Sequence, residues 1–248
     1  MEKENKIVQS LWIGNELSKL ERLSIKSFLF NGHEYHLYLY KDINDLPDGI
    51  IIKDANEIIP EKDMFSKKIN DNSPKGIHVL SDVFRHKLLY DHGGWWVDLD
   101  VVCLQPFDFA EQYVIGSAKS PVTDEQKVNS CVLKMPKKSL ELKYCLEEYA
   151  KHKNGDNIEY GGLGPKLLHE IVKKFKKNEY VKSWKTFCPI NWWEVDKIVR
   201  PNYDFQITLD MYSIHLYNVK WEEKGYDKNM KYDEISIFEQ LKKFYGIL

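Results

Sequence analysis

The sequence predicts an α/β fold with a mainly parallel sheet flanked by helices. The chain opens with an apolar strand at Ile7–Ile13, a helix at Leu17–Asn31 and a second, alternating strand at Tyr35–Tyr40. A strand–helix–strand opening of this kind favours two parallel strands with the connecting helix packed on one face of the sheet. The 248 residues contain no internal repeat or Ser/Gly linker and are enough for one domain spanning 1–248.

Helical and strand patterns continue along the rest of the chain. Apolar residues recur at helical spacing from Leu80 to Leu88, so Lys75–Asp91 is predicted to be a core-facing helix that ends at Gly93 and Gly94. The other predicted segments are an irregular region at Asp42–Ser73, an apolar strand at Trp95–Leu104, a strand at Asn129–Met135, helices at Leu140–Lys151, Pro165–Lys177 and Glu234–Tyr245, and a polar segment at Trp221–Asp233 able to act as a mobile lid. The C-terminal part is therefore expected to be helical.

Composition and charge narrow the class of function. The formal net charge of −2 gives no reason to expect a nucleic-acid partner. The polar amino terminus has no signal-peptide pattern and no apolar stretch is long enough to span a bilayer, so we expect a cytoplasmic protein with at most peripheral membrane association. The four cysteines lack metal-ligand spacing and are predicted to be buried free thiols: Cys103, Cys131, Cys145 and Cys188.

Two aspartates interrupt the apolar run at Trp95–Leu104. On a strand, Asp98 and Asp100 would point to the same side, where their carboxylates repel each other and lose hydration. A divalent cation relieves both costs, and oxygen ligands favour Mg²⁺ or Mn²⁺. An Asp-x-Asp pair alone is weak evidence, but its setting is informative: a helix, a Gly-Gly stop, two tryptophans, the pair, and then Val-Val-Cys-Leu.

That setting carries a resemblance to a known family. The order Ser81-Asp82-x-x-Arg85 on a helix, followed by Gly-Gly-Trp-Trp-Val-Asp98-Leu-Asp100, resembles the DXD region of glycosyltransferase family 32. That family includes capsule-synthesis sugar transferases, and its relatives include α-1,4-galactosyltransferases and the glucosyltransferase domains of clostridial toxins. The resemblance implies a GT-A type fold, a nucleotide-sugar donor, Mn²⁺ or Mg²⁺, and retention of anomeric configuration.

The resemblance assigns roles to the residues that match the motif. Asp100 would bind the metal directly, and Asp98 would contact the donor's ribose and sugar and reach the metal through water. Asp82 and Arg85, three apart on one helix face, would contact donor-sugar hydroxyls and phosphate. Trp96 would line the donor site, although core packing competes with this role.

Further residues match the family at either end of the chain. Trp12 stands where relatives stack a tryptophan on uracil, but taken alone it is more readily a core residue. The segment His215–Trp221 resembles the family's closing element, which we call the closing segment. In it, His215 would bind the metal, with a core histidine as the alternative. Three other residues of that segment would close over the diphosphate, and they are Asn218, Lys220 and Trp221. Lys220 departs from the family pattern, because a serine is common at its position.

Two weaker matches lie in the middle of the chain. Asn129 falls where related retaining transferases place an amide near the donor sugar. Gly161-Gly162-Leu163-Gly164-Pro165 resembles the family's glycine-containing helix start, whose amides could face an anion or an acceptor hydroxyl, while an ordinary glycine turn explains it equally well.

The predicted function is therefore a retaining glycosyltransferase. It would move a hexose or N-acetylhexosamine from a nucleotide diphosphate sugar, with uridine as the base, to a glycan or lipid-linked oligosaccharide at the inner face of the cell membrane. Same-face attack is favoured over a glycosyl-enzyme, because no carboxylate other than Glu159 suggests itself as nucleophile. The alternatives are a haloacid-dehalogenase-type phosphatase, with Asp98 as nucleophile and Asp100 as acid/base, and a non-catalytic carbohydrate-binding protein.

Overall fold

A computed structural model describes residues 1, 3–63, 74–123, 125–152, 162–201 and 204–247. Strands and helices are numbered in chain order. The strands are β1 Ile7–Trp12, β2 Glu34–Leu39, β3 Ile51–Asp54, β4 Gly94–Val97, β5 Val101–Cys103, β6 Val114–Lys119, β7 Gln126–Met135 and β8 Ser213–His215. The helices are α1 Lys3–Lys6, α2 Lys19–Phe30, α3 Pro74–His92, α4 Leu140–Lys151, α5 Leu167–Lys174, α6 Trp184–Phe187, α7 Asp196–Val199, α8 Asn218–Lys224 and α9 Ile237–Phe244.

Six of the described strands form one mixed sheet in the order β3-β2-β1-β4-β7-β6. The pairs β1–β2, β1–β4 and β2–β3 are parallel, whereas β4–β7 and β6–β7 are antiparallel. The predicted strand–helix–strand opening is therefore confirmed. Strand order reverses between β1 and β4, and the carboxyl ends of parallel strands at such a point are where open α/β sheets bind ligands.

Both faces of the sheet are buried. Neighbouring side chains of a strand point to opposite faces, so Trp95 packs in the cluster under α2 with Phe28, while Trp96 packs under α3 with Phe84. Both tryptophans are at most 1% exposed. A third cluster, which includes Trp221, joins α2 to the C-terminal helices. The expected helical C-terminal part is present.

Local signals explain where several helices begin and end. Among the described residues, four serines lie at α-helix N-caps and accept a backbone N–H of the first turn, and they are Ser18, Ser139, Ser183 and Ser236. Ser18 also forms a capping box with Glu21. After α3, Gly93 has φ 70°, and a Cβ there would lie 2.7 Å from the Lys137 backbone nitrogen, so glycine is required at this turn.

The predicted strand at Trp95–Leu104 is wrong in one respect. The backbone turns at residues 98–100, and β4 and β5 belong to different sheets. The Asp98 N–H donates to the Cys131 carbonyl at 2.8 Å, and β5 then pairs with β8. The aspartate pair therefore lies in the turn between two strands. This turn connects β4 of the six-stranded sheet to β5, which pairs with β8 of the C-terminal part of the chain.

Other departures concern the segments between the main elements. The region predicted as irregular, Asp42–Ser73, contains the edge strand β3, and its 64–73 part lies outside the described residues. β6 is not predicted by the sequence analysis. The proposed lid at Trp221–Asp233 begins inside α8, and the fully buried Trp221 ring fixes that end in the third cluster. Within the described ranges, no helix has the length and apolar character needed to cross a bilayer.

Candidate metal and donor site

The candidate site lies at the carboxyl ends of β1 and β4. Trp12 is the last residue of β1, and Asp98 follows the last residue of β4. The two strands are parallel neighbours, with Gln9 opposite Trp96. Inside the sheet, the Ser10 hydroxyl donates to the Val97 carbonyl at 2.6 Å and ties the two strands together one step below the site. The sheet thus places the Trp12 indole and the Asp98 carboxylate at the carboxyl ends of two neighbouring strands.

Asp100 joins the turn to the C-terminal part of the chain. One carboxylate oxygen, Oδ1, lies 3.1 Å from Nε2 of His215, and the other, Oδ2, accepts the Asn218 backbone N–H at 2.8 Å. Burial by itself would raise the pKa of Asp100, but His215 and the Asn218 N–H hold that pKa below its usual range. Burial would likewise lower the pKa of His215, but the Asp100 carboxylate raises it well above the ordinary value. The two groups therefore share a proton in a buried ion pair.

The Asp98 carboxylate is oriented by two buried side chains, Trp96 and Arg85. Its Oδ1 accepts the indole N–H of Trp96 at 2.7 Å and lies 3.1 Å from Nη1 of Arg85. Arg85 also lies over the Trp96 ring, with 5.0 Å between the guanidinium carbon and the ring centre. Trp96 is 1% exposed, so the predicted contact of its ring with the donor is corrected. Trp96 instead orients the carboxylate of Asp98.

Arg85 has protein partners on each of its side-chain nitrogens. Nη1 donates to the Ser130 carbonyl and hydroxyl at 2.7 and 2.9 Å, while Nη2 lies 3.2 Å from the Ser81 hydroxyl and 3.4 Å from Asp82. The side chain is 6% exposed. The structure therefore places Arg85 as a buried link between Asp98 and Asp82, rather than on the phosphate side that the resemblance implied.

Asp82 is the second acidic partner of Arg85. Burial raises its pKa to about 6, against the opposing effect of Arg85. The α-carbon of Gly164 approaches this carboxylate so closely that a Cβ there would lie 2.3 Å from Oδ2. Gly164 thus leaves room for Asp82, a role that the sequence does not predict. Gly161 and Glu159 lie outside the described residues.

The donor set suits a hard divalent cation. One ligand atom each from Asp98, Asp100 and His215 lie within 4.8 Å of one another. Two carboxylates and one imidazole suit Mn²⁺, and the carboxylates also suit Mg²⁺. The shared proton between Asp100 and His215 is the charge that a cation would replace. The amide oxygen of Asn218 is buried close by and has no hydrogen-bond donor among the described residues.

Trp12 is half-buried beside this group. Its ring packs on the main core cluster, and a Cβ on Gly14 would lie 2.9 Å from the indole nitrogen. The glycine therefore allows the chain to pass close to the ring. The indole N–H is buried and has no acceptor among the described residues. A buried donor of this kind is costly unless a ligand or water satisfies it.

The closing segment is only partly as predicted. Trp221 is 0% exposed, and its N–H donates to the Leu216 carbonyl at 2.8 Å, so the predicted contact of Trp221 with a diphosphate is corrected. Trp221 is a core residue, and its burial in the third cluster anchors α8. Lys220 pairs with Glu223 at 2.6 Å and lies over the Trp192 ring. These contacts hold its ammonium at the surface of α8.

Asn129 and three residues beyond the predicted set complete the surroundings. The Asn129 side-chain oxygen accepts the Cys131 N–H at 2.7 Å, which fixes the amide on β7.

Sequence reasoning missed Ser130, Cys131 and Cys188. The Sγ atoms of the two cysteines lie 3.5 Å apart, and Cys188 Sγ lies 3.9 Å from Nδ1 of His215. No sequence spacing connects them, because they come from β7 and from the turn after α6.

Comparisons with known proteins show a family and a fold that this chain resembles. Residues 15–120 match the family described as glycosyltransferase sugar-binding region containing DXD motif. The lactosylceramide 4-alpha-galactosyltransferase of Rattus norvegicus is 26% identical over 161 residues, which cover 59% of this chain and 42% of that protein. The chain thus spans less than half the length of this curated relative.

A solved structure shares the fold. The PaToxG glycosyltransferase has a TM-score of 0.54 and 15% sequence identity, and the match covers 68% of this chain and 69% of that chain. The predicted GT-A type fold is therefore confirmed. Residues 15–120, which include the Asp98–Asp100 pair, thus resemble the family of glycosyltransferase sugar-binding regions that contain a DXD motif.

Proposed function

We propose that this protein is a metal-dependent, retaining glycosyltransferase that moves a hexose or N-acetylhexosamine from a UDP-sugar to a glycan hydroxyl. The observation that carries the proposal is the convergence of Asp98, Asp100 and His215 at the carboxyl ends of β1 and β4. The family match and the fold support the same reaction class.

The three converging residues would hold Mn²⁺ or Mg²⁺. When bound, such an ion neutralises the charge that develops on a departing diphosphate. His215 and Asp100 would take up the ion in exchange for the proton they share, and the Asn218 N–H would keep Asp100 oriented. Asp98 is 24% exposed on its side chain, and it would present its second oxygen to the donor.

The residues around the metal position would orient the donor. Trp12 offers a flat ring at the end of the strand next to β4, and its indole N–H has no acceptor among the described residues, which suits a uracil base. Arg85 would act as a positioning residue, since it holds Asp98 and Asp82 and is itself buried. Asn129 would face the donor sugar, and Lys220 would reach a phosphate after releasing Glu223.

We propose same-face attack by the acceptor hydroxyl, with an oxygen of the departing diphosphate taking the acceptor's proton. This mechanism needs no carboxylate below the sugar ring. The acceptor would be a glycan or a lipid-linked oligosaccharide in surface or capsular polysaccharide synthesis, at the inner face of the cell membrane, and the chain would act as a single domain.

Neither alternative function is favoured. A phosphatase nucleophile at Asp98 would be weakened by its contacts with Trp96 and Arg85.

The test is nucleotide release from a panel of nucleotide sugars, measured with Mn²⁺ and with a chelator. UDP release that requires Mn²⁺ is expected for at least one UDP-sugar. Asp100→Asn keeps an oxygen for the Asn218 N–H but removes a ligand charge, so turnover should fall at least about 100-fold. The matched control is Asp210→Asn, on an exposed aspartate, which should leave turnover unchanged. Normal turnover of Asp100→Asn, or release of phosphate from simple phosphoesters, would contradict the proposal.

A further inference from the structure

A second group of potential ligands lies directly behind the carboxylate pair. Cys131, Cys188 and His215 each direct one ligand atom inward, and these atoms lie within 4.8 Å of one another. The two cysteines are 0% exposed and His215 is 8% exposed. The sequence gives no hint of this group, because strand pairing and the fold of the C-terminal part bring the three residues together.

The distances suit a tetrahedral ion that prefers sulfur. With Zn–S of about 2.3 Å and Zn–N of about 2.0 Å, tetrahedral angles place two sulfurs about 3.8 Å apart and a sulfur and a nitrogen about 3.5 Å apart. The corresponding distances here are 3.5 Å between the two Sγ atoms and 3.9 Å between Cys188 Sγ and Nδ1 of His215. These two distances differ from the ideal values by a few tenths of an ångström, and the three ligand atoms all lie within 4.8 Å of one another.

The orientation of the imidazole is a second, independent observation. Metal-ligating histidines usually donate their other ring N–H to a carboxylate or carbonyl, which fixes the ring and its tautomer. Here Nε2 of His215 faces Asp100 at 3.1 Å, and Nδ1 faces the sulfurs. The Tyr217 ring packs on the imidazole with 4.0 Å between ring centres and restrains its plane. Carboxylate, histidine and thiols thus lie in the order found around zinc.

We propose that Cys131, Cys188 and Nδ1 of His215 bind one thiophilic divalent cation of the zinc class, and that this ion prevents His215 from binding the hard cation of the carboxylate pair. Binding displaces the protons of the two thiols and the Nδ1 proton of the protonated His215 imidazole, and all of these protons pass to the solvent. With Nδ1 occupied, Nε2 keeps its hydrogen and donates it to Asp100, so it is not a ligand for the hard cation. The second half of the proposal rests on the proposed function, whereas the thiol site does not.

The direct test is a titration of the reduced protein with Cd²⁺, followed by thiolate-to-metal charge-transfer absorption in the ultraviolet. One ion per chain is expected. Cys131→Ser and Cys188→Ser should each halve the absorption or abolish it, and weaken binding at least about tenfold. The matched control is Cys145→Ser, since Cys145 is an equally buried free thiol outside the group. Circular dichroism and thermal unfolding confirm that each variant is folded.

The coupling is tested by Mn²⁺ binding, measured by electron paramagnetic resonance of free Mn²⁺. One equivalent of Zn²⁺ should weaken Mn²⁺ binding at least about tenfold in the wild type and leave it unchanged in Cys131→Ser. Asp100→Asn should lose Mn²⁺ binding while keeping the Cd²⁺ absorption. Unchanged Mn²⁺ affinity in wild-type protein loaded with Zn²⁺ would overturn the coupling.

Other outcomes separate the two proposals. A folded, fully reduced wild type without Cd²⁺ absorption overturns the thiol site, and so does absorption retained in the Cys131→Ser, Cys188→Ser double variant. A Cys131–Cys188 disulfide in protein purified without reductant, with no Cd²⁺ binding after reduction, overturns it as well. Absence of Mn²⁺ binding in the wild type would contradict the proposed function and with it the coupling, while the Cd²⁺ titration would still decide the thiol site.

Discussion

The close approach of Gly164 to Asp82 leads to a prediction that a double-mutant cycle can test. In Gly164→Ala the new Cβ would lie 2.3 and 2.4 Å from the two carboxylate oxygens, well inside the 3.0 Å below which such contacts essentially never occur. The carboxylate would have to move by roughly 0.7 Å. It is 7% exposed and lies 3.4 Å from Arg85, so it has little room to move.

Overpacking of a tightly packed site costs about 1–3 kcal/mol. We therefore expect Gly164→Ala to lower the free energy of unfolding by about 1–3 kcal/mol in urea denaturation. The movement of Asp82 also strains its pairing with Arg85, which holds Asp98. Nucleotide release should therefore fall together with stability.

The second substitution in the cycle separates shape from charge. Asp82→Ala removes the atoms that the new Cβ meets, so Gly164→Ala should cost at least about 1 kcal/mol less in that background than in the wild type. Asp82→Asn has the same shape without the charge and should keep the full cost. Additive free energies in the Asp82→Ala background would refute the steric explanation.

Three further predictions concern stability. His33 accepts the Phe107 N–H, and burial lowers its pKa to about 4, so the unfolded state binds more protons below pH 6.5. The free energy of unfolding should fall by about 3 kcal/mol from pH 6.5 to 4, measured by urea denaturation at each pH. In His33→Gln this fall should be smaller, and an equal fall in wild type and variant would contradict the prediction. Asp82 has the opposite sign: its pKa of about 6 means that the folded state binds more protons, so stability is lost as pH rises from 3.8 to 6. Asp82→Asn should therefore gain stability relative to wild type over that window, by about 3 kcal/mol, and a constant difference would contradict the linkage. Trp221→Ala should lose about 3–5 kcal/mol by thermal or urea unfolding, whereas the half-exposed Trp192→Ala should lose far less, and equal losses would show that Trp221 is not an anchor.

The longer helices were predicted well because their signals are local, whereas the short helices of four to seven residues, α1, α6, α7 and α8, were not predicted. The stripe in α3 and the serine caps of α2 and α4 lie within a few residues of the elements they define, so the predicted ranges Lys75–Asp91 and Leu140–Lys151 agree closely with the structure. The edge strand β3 was missed because its side chains are mostly exposed and carry no apolar alternation. β6 is likewise defined by its pairing with β7, which a single segment does not reveal.

The break at Asp98 shows the limit of pattern reasoning. An apolar run from Trp95 to Leu104 is consistent with one long strand, and only the pairing of β5 with β8 shows that the chain changes sheets there. The same pairing places Val101 opposite His215 and thereby brings the imidazole to Asp100.

The motif around the aspartate pair was readable from the chain, because residue types and short spacings are properties of the sequence. It predicted the fold and the resemblance to the DXD-containing family, and it singled out the two aspartates that the structure brings close to His215. The partners of that centre depend on contacts between distant segments. Burial decided that Trp96, Arg85 and Trp221 support the site from within, and the folding of the C-terminal part placed Cys131 and Cys188 behind His215. Such contacts follow from packing in three dimensions, on which short-range patterns carry no information.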